Sequence, residues 1–225
     1  MSHVCMRVQR SVVHVLVLER GHGSLADVLE GGPLSDGEKL AILTRVGECL
    51  TALHDHGLVH CDVKPSNAVL FRDGPREVFK LIDLDACTAV DSVQSSAYTP
   101  QYCPPEMARA VRRTPPTSVV AHPGYDVFSF GLMSIHVLTG VSYWSGRAPD
   151  AIVSALCEES FSVRVPTTLS AETRRMLSLC VAPSVAKRRS MREVLDKGFF
   201  KLGVGKTTMM NVMKVREERE RERGV

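Results

Sequence analysis

The chain has 225 residues, of which 44% are hydrophobic and 24% charged, with a formal net charge of +3. That length can bury a substantial core, and charge so close to balance argues against nucleic acid as a partner. Seven cysteines, an odd number without a C-x-x-C pair, exclude a disulfide framework and a zinc site of ordinary spacing, and they point to a reducing compartment.

Val12 to Leu18 is a β-branched apolar run that ends near Gly21, which predicts a strand. It is too short to cross a bilayer and lacks a small-residue cleavage site, so a membrane partner is not expected and a cytoplasmic location follows by default. The 18 residues before Glu19 leave room for two strands of ordinary length. Ser24 is placed to cap a helix that opens at Leu25. Ser35 with Glu38 fits a capping box, and Leu40, Leu43, Val46, Leu50 and Leu53 recur at three- and four-residue steps. This predicts an amphipathic helix leading to His60.

The stretch His60-Cys61-Asp62-Val63-Lys64-Pro65-Ser66-Asn67 puts three polar side chains on one loop, and Asp83 follows in Leu-Ile-Asp-Leu-Asp. Such a set can orient a hydroxyl and hold metal-bound phosphates, although Asp and Asn in a strand–turn–strand also satisfy turn backbone. Further on, Pro115-Pro116 and His122-Pro123-Gly124 bracket a segment that reads as a loop insertion. Gly203 to Thr208 approximates a phosphate-binding loop but has Phe200 where that pattern needs glycine. Residues 216–223 alternate four Arg with four Glu, which predicts a solvated, partly helical tail. Nothing in the sequence speaks to oligomeric state.

Taken in order, these segments resemble the motifs of protein kinases of the serine/threonine type. His60 to Asn67 is similar to H-R-D-x-x-x-x-N, with lysine at Lys64 as in the serine/threonine form, and Asp83 matches the Asp of D-F-G. Tyr98-Thr99-Pro100-Gln101-Tyr102-Cys103-Pro104-Pro105-Glu106 resembles G-T-P-x-Y-x-A-P-E. Tyr125-Asp126-Val127-Phe128-Ser129-Phe130-Gly131 resembles D-x-W-S-x-G, and Lys187-Arg188-Arg189-Ser190 resembles K-R-P-[ST]. Upstream, Gly23-Ser24-Leu25-Ala26-Asp27-Val28-Leu29 resembles G-S-L-x-D-x-L.

The resemblance implies an α+β kinase-like fold, predominantly the helical C-terminal lobe with a remnant of the N-lobe sheet. Residues 1–18 would be that remnant, residues 19–202 the C-lobe and residues 203–225 a charged tail. It further implies transfer of the ATP γ-phosphate to Ser or Thr hydroxyls of a protein substrate, with ATP and Mg²⁺ as cofactors. Asp62 would take the hydroxyl proton, Lys64 would steady the phosphate, and Thr99 would lie beside both. Asn67 and Asp83 would hold the metal. Backbone groups from Glu19 to Gly21 would receive adenine, with Val69 as its floor. His60, Asp126, Arg188 and a buried Glu106 would be structural, the last two as an ion pair.

Several features depart from the family pattern. No G-x-G-x-x-G and no V-A-I-K lysine precede the hinge, and Arg7 and Arg10 read as surface charge. The alternative is therefore a catalytically impaired pseudokinase that acts as a protein-binding scaffold. Cys61 replaces an arginine that in relatives commonly meets a phosphate on the activation segment, which implies control without such phosphorylation. With no cation fixed nearby by sequence, Cys61 is expected to be a buried, inert thiol. Leu84 is expected to fill an apolar slot beneath its loop, and Asp85, in place of glycine, to limit rearrangement. Thr88, Ser92, Ser95, Ser96, Tyr98 and Thr99 are expected on a polar, solvated loop, with phosphorylation of some of them, as in relatives, as the alternative.

Overall fold

The computed structural model describes residues 2–8, 11–73, 76–94, 98–113 and 117–196. Arg10, Ser95, Ser96, Pro115-Pro116, Phe199-Phe200 and the segments 203–208 and 216–223 lie outside the described residues, as does the Arg7 side chain. Strands β1 (Ser2–Val8) and β2 (Ser11–Val17) pair antiparallel, filling the stretch with the two strands its length allows.

Strand β3 (Gly23–Ser24) leads directly into helix α1 (Leu25–Glu30). Ser24 caps α1 in a reciprocal box with Asp27. Ser35 does the same with Glu38 at the start of α2 (Asp36–Asp55). Each box satisfies backbone N–H groups that the first turn would otherwise leave unpaired. The predicted apolar stripe of α2 turns inward: Ile42, Leu43, Val46 and Leu50 are buried.

After α2 come β4 (Leu58–Val59), β5 (Ala68–Asp73), β6 (Arg76–Leu81) and β7 (Thr88–Ala89). Strands β3, β5 and β6 form one antiparallel sheet, and β4 pairs with β7. Leu70 and Phe79 lie opposite each other in the β5–β6 hairpin and both enter the core. The hairpin ladder runs one step beyond its strands, because the Ile82 N–H donates to the Asn67 carbonyl at 2.9 Å. Asn67 and Asp83 therefore emerge at the same end of one hairpin.

The rest is helical: α3 (Pro105–Arg112), α4 (Pro123–Thr139), α5 (Pro149–Cys157), α6 (Ala171–Cys180) and α7 (Met191–Asp196). Helix α4 is apolar on nearly every side and lies in the core, as such a helix must. His122 and Pro123 start it, with the His122 Nδ1 accepting from the Gly124 N–H at 2.9 Å. Gly131 allows the close approach of α6, since a Cβ there would stand 2.6 Å from Val181 Cγ1. The main core joins α1, α2, α4, α6 and α7, and a second apolar cluster joins α3 to α5 around Met107, Trp144, Ile152 and Leu156. Among the described residues no helix is long and apolar enough to cross a membrane.

Arg188 ties these layers together. Its Nη2 donates to both carboxylate oxygens of Glu106 at 2.8 Å, its Nη1 to the Gly124 carbonyl at 3.0 Å and its Nε to the Ala182 carbonyl at 2.8 Å. The guanidinium also lies over the Phe128 ring, 4.8 Å from its centroid. Burial pulls its pKa below the ordinary arginine value, and Glu106 pulls it back up. The sequence expectation needs one correction: the buried partner is Arg188, with a side chain 0% exposed, whereas Glu106 keeps 23% of its side chain in water. Glu106 sits in the first turn of a surface-lying helix, so only one edge of its carboxylate faces inward.

Replacing Arg188 by Met should lower unfolding free energy by about 3 kcal/mol, because the carbonyls of Gly124, Ala182 and Pro183 and the Glu106 carboxylate lose a donor together. A urea titration checks this, with the midpoint expected to fall and the m-value to stay the same.

Candidate active site

The loop from His60 to Asn67 is shaped by Asp126, which is 1% exposed. Asp126 Oδ2 accepts from the His60 N–H at 2.8 Å and from His54 Nε2 at 2.9 Å, and Oδ1 accepts from the Cys61 N–H at 2.9 Å. Those bonds hold Cys61 at φ 66°, a left-handed conformation that costs energy for a residue with a Cβ. The His60 ring then braces two loops at once. Its Nδ1 accepts from the Asp62 N–H at 3.3 Å and its Nε2 meets the Ile82 carbonyl at 3.1 Å. One neutral tautomer satisfies both contacts.

Four of the sequence-predicted site residues meet directly. Asp62 Oδ2 accepts from Lys64 Nζ at 2.5 Å and from Asn67 Nδ2 at 3.1 Å, and Oδ1 accepts from Thr99 Oγ1 at 2.7 Å. Lys64 Nζ also donates to Thr99 Oγ1 at 3.0 Å, which closes a ring of contacts. Asn67 Nδ2 makes a further bond to the Asp62 carbonyl at 3.0 Å. The carboxylate can accept about four hydrogen bonds. Among the described residues Oδ2 holds two donors and Oδ1 one, so the open position is on Oδ1, next to Thr99.

Asp83 joins the group through its backbone. It follows Ile82, whose N–H bonds the Asn67 carbonyl and whose carbonyl meets His60. Asp83 has φ 63°, and its side chain is exposed. The donor set suits a hard cation: among the described residues nothing donates to the Asp83 carboxylate or to Asn67 Oδ1. Two oxygens do not make a closed cage, and no group of three or more His, Cys, Asp or Glu residues among those described could hold a metal alone. A small divalent ion that keeps water and phosphate ligands fits such an open pair.

The positive φ falls on Asp83, so Asp85 takes ordinary turn geometry within the 3₁₀ turn Leu84–Ala86. Leu84 does not fill an apolar slot. It is 52% exposed, because the turn projects it away from the hairpin.

Residues 19–22, expected as the hinge, lie along the edge of the three-stranded sheet. The His22 N–H donates to the Leu70 carbonyl at 2.8 Å, and Lys80 pairs with the exposed Glu19. Gly21 is required at its place, since a Cβ there would come within 2.2 Å of Val69 Cγ1. Val69 therefore packs directly against Gly21. Arg20, Gly21 and His22 line an open hollow. Among the described residues no backbone bond engages residues 19–21, which leaves those groups available to the edge of a planar base.

Cys61 is only part-buried, where a buried thiol was expected, because it lies on the loop surface beside Asp126 rather than in the core. Burial, then the Asp126 carboxylate, push its thiol up to about 12. Burial also raises the Cys103 thiol. The segment after β7 departs from a simple solvated loop. Residues 91–94 run antiparallel to residues 119–121, with Gln94 N–H to the Val119 carbonyl at 2.9 Å and Ala121 N–H to the Ser92 carbonyl at 2.8 Å. The inserted segment is thus a second edge for this loop. Sequence reasoning missed Gln94, His54 and His136, none of which sits in a motif. The last meets the Tyr102 hydroxyl through Nδ1 at 3.2 Å.

The family model described as protein kinase domain matches residues 3–200. The chain is 32% identical over 148 residues to the serine/threonine-protein kinase pkn2 of Myxococcus xanthus, covering 62% of this chain and 17% of that protein. To the serine/threonine-protein kinase PAK 1 of Mus musculus it is 28% identical over 197 residues, covering 87% of this chain and 35% of the relative. The corresponding values for the serine/threonine-protein kinase CLA4 of Saccharomyces cerevisiae are 26% over 208 residues, 87% and 23%. The chain thus spans about a third or less of these relatives' own lengths.

Two outcomes are expected. In the native protein at pH 8, Cys61 should resist iodoacetamide and react only after denaturation, since a pKa of about 12 leaves roughly one thiol in ten thousand ionised. Peptide mapping by mass spectrometry reads this. Burial pushes the His136 imidazole below its ordinary 6.5, so the unfolded chain takes up a proton that the folded one refuses. Stability is then complete above about pH 6.5 and falls as pH drops below it, towards the folded pKa. Urea midpoints at several pH values should show a shallower acid loss for His136→Asn than for the unmodified chain.

Proposed function

The chain belongs to the protein kinase domain family, and from that premise we propose that it is a serine/threonine protein kinase acting through Asp62. The family uses ATP with a divalent metal and acts on proteins. For this chain we take the metal to be Mg²⁺, the acceptors to be Ser and Thr hydroxyls, and the location to be cytoplasmic. The names of the relatives, all serine/threonine-protein kinases, support the choice of acceptor.

The observation that carries this reading is the contact ring of Asp62, Lys64, Asn67 and Thr99, with one acceptor position left open on Asp62 Oδ1. A substrate hydroxyl donating there would lie beside Thr99, with its proton directed onto the carboxylate. Lys64 is close enough to offset negative charge growing near that oxygen, and its own place is fixed by Asp62 and Thr99. When bound, ATP with its cation supplies the phosphoryl group. Asn67 Oδ1 and the Asp83 carboxylate would hold the cation, the backbone of Glu19 to Gly21 would take the adenine edge, and Val69 would lie beneath it.

Holding these groups in one hydrogen-bonded cluster removes motion that a reaction of this kind would otherwise have to arrest. His60, Asp126, Glu106 and Arg188 serve by fixing the loop and the helices that carry it. We assign residues 1–18 to the first lobe, residues 19–202 to the second and residues 203–225 to a tail.

The test is phosphate transfer from labelled ATP to a generic basic protein. Asp62→Asn should lower kcat by roughly a hundredfold or more with little change in unfolding midpoint. EDTA should stop the reaction, and Mg²⁺ should restore it. Transfer that persists at full rate in Asp62→Asn would sink the assignment.

A further inference from the structure

We propose that Ser129 is a positioning residue: by holding the Tyr102 carbonyl from helix α4 it sets the Thr99 hydroxyl against Asp62. Its catalytic consequence rests on the phosphotransfer reading above, whereas its geometry stands without it.

Ser129 is 7% exposed within the apolar helix α4, where a hydroxyl needs an acceptor. Its Oγ donates to the Tyr102 carbonyl at 2.7 Å. The Tyr125 carbonyl, one turn back in the same helix, is farther at 3.2 Å, and a hydroxyl has one proton to give. The shorter bond leaves the helix. Ser134 shows the contrast, since its Oγ donates to the Phe130 carbonyl at 2.7 Å and stays within α4. Alanine would suit a helix better than serine, so the use of Ser129 lies in what it holds outside.

From there the path to the site is short. The Tyr102 N–H closes a turn onto the Thr99 carbonyl at 3.0 Å, and the Thr99 hydroxyl donates to Asp62 Oδ1 at 2.7 Å. The far end of Tyr102 reaches the same helix, where its hydroxyl meets His136 Nδ1 at 3.2 Å. Ser142 bonds that hydroxyl as well. Ser129 and His136 are seven residues apart, which puts them on one face of α4 about 10 Å from each other. Tyr102 lies along that face, its carbonyl at one residue and its phenol at the other.

Asp62 is fixed from the same helix. Asp126, three residues before Ser129, holds the His60 and Cys61 N–H groups and so the loop that carries Asp62. Gln94 adds a neutral contact there, its Oε1 accepting from Cys61 Sγ at 3.3 Å. Asp62, Thr99, Tyr102, Asp126 and Ser129 all line one small hollow. Both partners of the Asp62–Thr99 contact are thus placed from a single turn of α4. Without the Ser129 hydroxyl, Thr99 keeps its bonds to Asp62 and Lys64, but the turn behind it loses its brace.

Hydrogen exchange of the full chain, followed by mass spectrometry, tests this without any need for activity. The probe is the peptide covering residues 98–104, which contains the Tyr102 N–H. Ser129→Ala should speed exchange there roughly fivefold and leave peptides from α2 and α4 unchanged. Should Ser129→Ala loosen α2 and α4 as well, Ser129→Cys decides, because it keeps the volume and offers only a weak donor. In the transfer assay Ser129→Ala should lower kcat roughly fivefold and leave the KM for ATP unchanged. That loss should vanish in a Thr99→Val background, where the hydroxyl being placed is already gone. Exchange over residues 98–104 that rises no more than that of α2 and α4, or a kcat loss that persists in full with Thr99→Val, overturns the proposal. If the unmodified chain transfers no phosphate, the phosphotransfer reading fails, and the exchange result still decides whether Ser129 places Thr99.

Discussion

Asp126 is the constraint on which the site depends. A carboxylate buried this deeply would be costly without partners, and here three N–H groups from two elements meet it. Its position on the central, fully packed α4 makes it a fixed reference, and the loop from His60 onward takes its shape from that point. The strained turn at Cys61 is the direct result. Without it, the carboxylate of the next residue would not face Lys64, Asn67 and Thr99 together. Packing in the core and chemistry at the surface are linked through this one side chain.

A second device is the β5–β6 hairpin, which solves a problem of sequence distance. Asn67 and Asp83 are sixteen residues apart, yet antiparallel pairing returns the chain to its starting level. One added ladder bond and the His60 ring then lock the far end to the loop. Arg188 performs a similar service elsewhere, gathering carbonyls from the start of α4 and from the turn after α6 onto the same guanidinium that holds Glu106.

Much of this was legible from the residues alone. The capping boxes at Ser24 and Ser35 and the stripe from Leu40 to Leu53 follow from local rules, and the local rules hold. The meeting of Asp62, Lys64, Asn67 and Thr99 was readable because three of the four share one loop and the fourth lies in a recognisable motif. Other features depended on contacts between distant segments. Gln94 sits among serines and carries no pattern, and its burial depends on Met107 and Cys61 arriving from elsewhere. The inserted stretch around Val120 looked irregular because a single bridge of pairing leaves no periodic trace. Leu84 was misjudged by analogy of volume, since volume says nothing about whether the turn points a side chain inward. Glu106 was judged as one half of a pair, while the pair proved to be buried on its arginine side only.

The tie between Gln94 and Cys61 carries no formal charge. Counter-ions act on such a contact hardly at all, whereas an exposed ion pair weakens as the Debye length contracts, to about 10 Å near 0.1 M salt. The same holds for the backbone bonds to Val119 and Ala121. The contacts of residues 91–94 are therefore neutral, whereas Asp62 and Lys64 close around the Thr99 hydroxyl as an ionic pair. Ionic strength would reach that pair and spare the neutral contacts around Gln94.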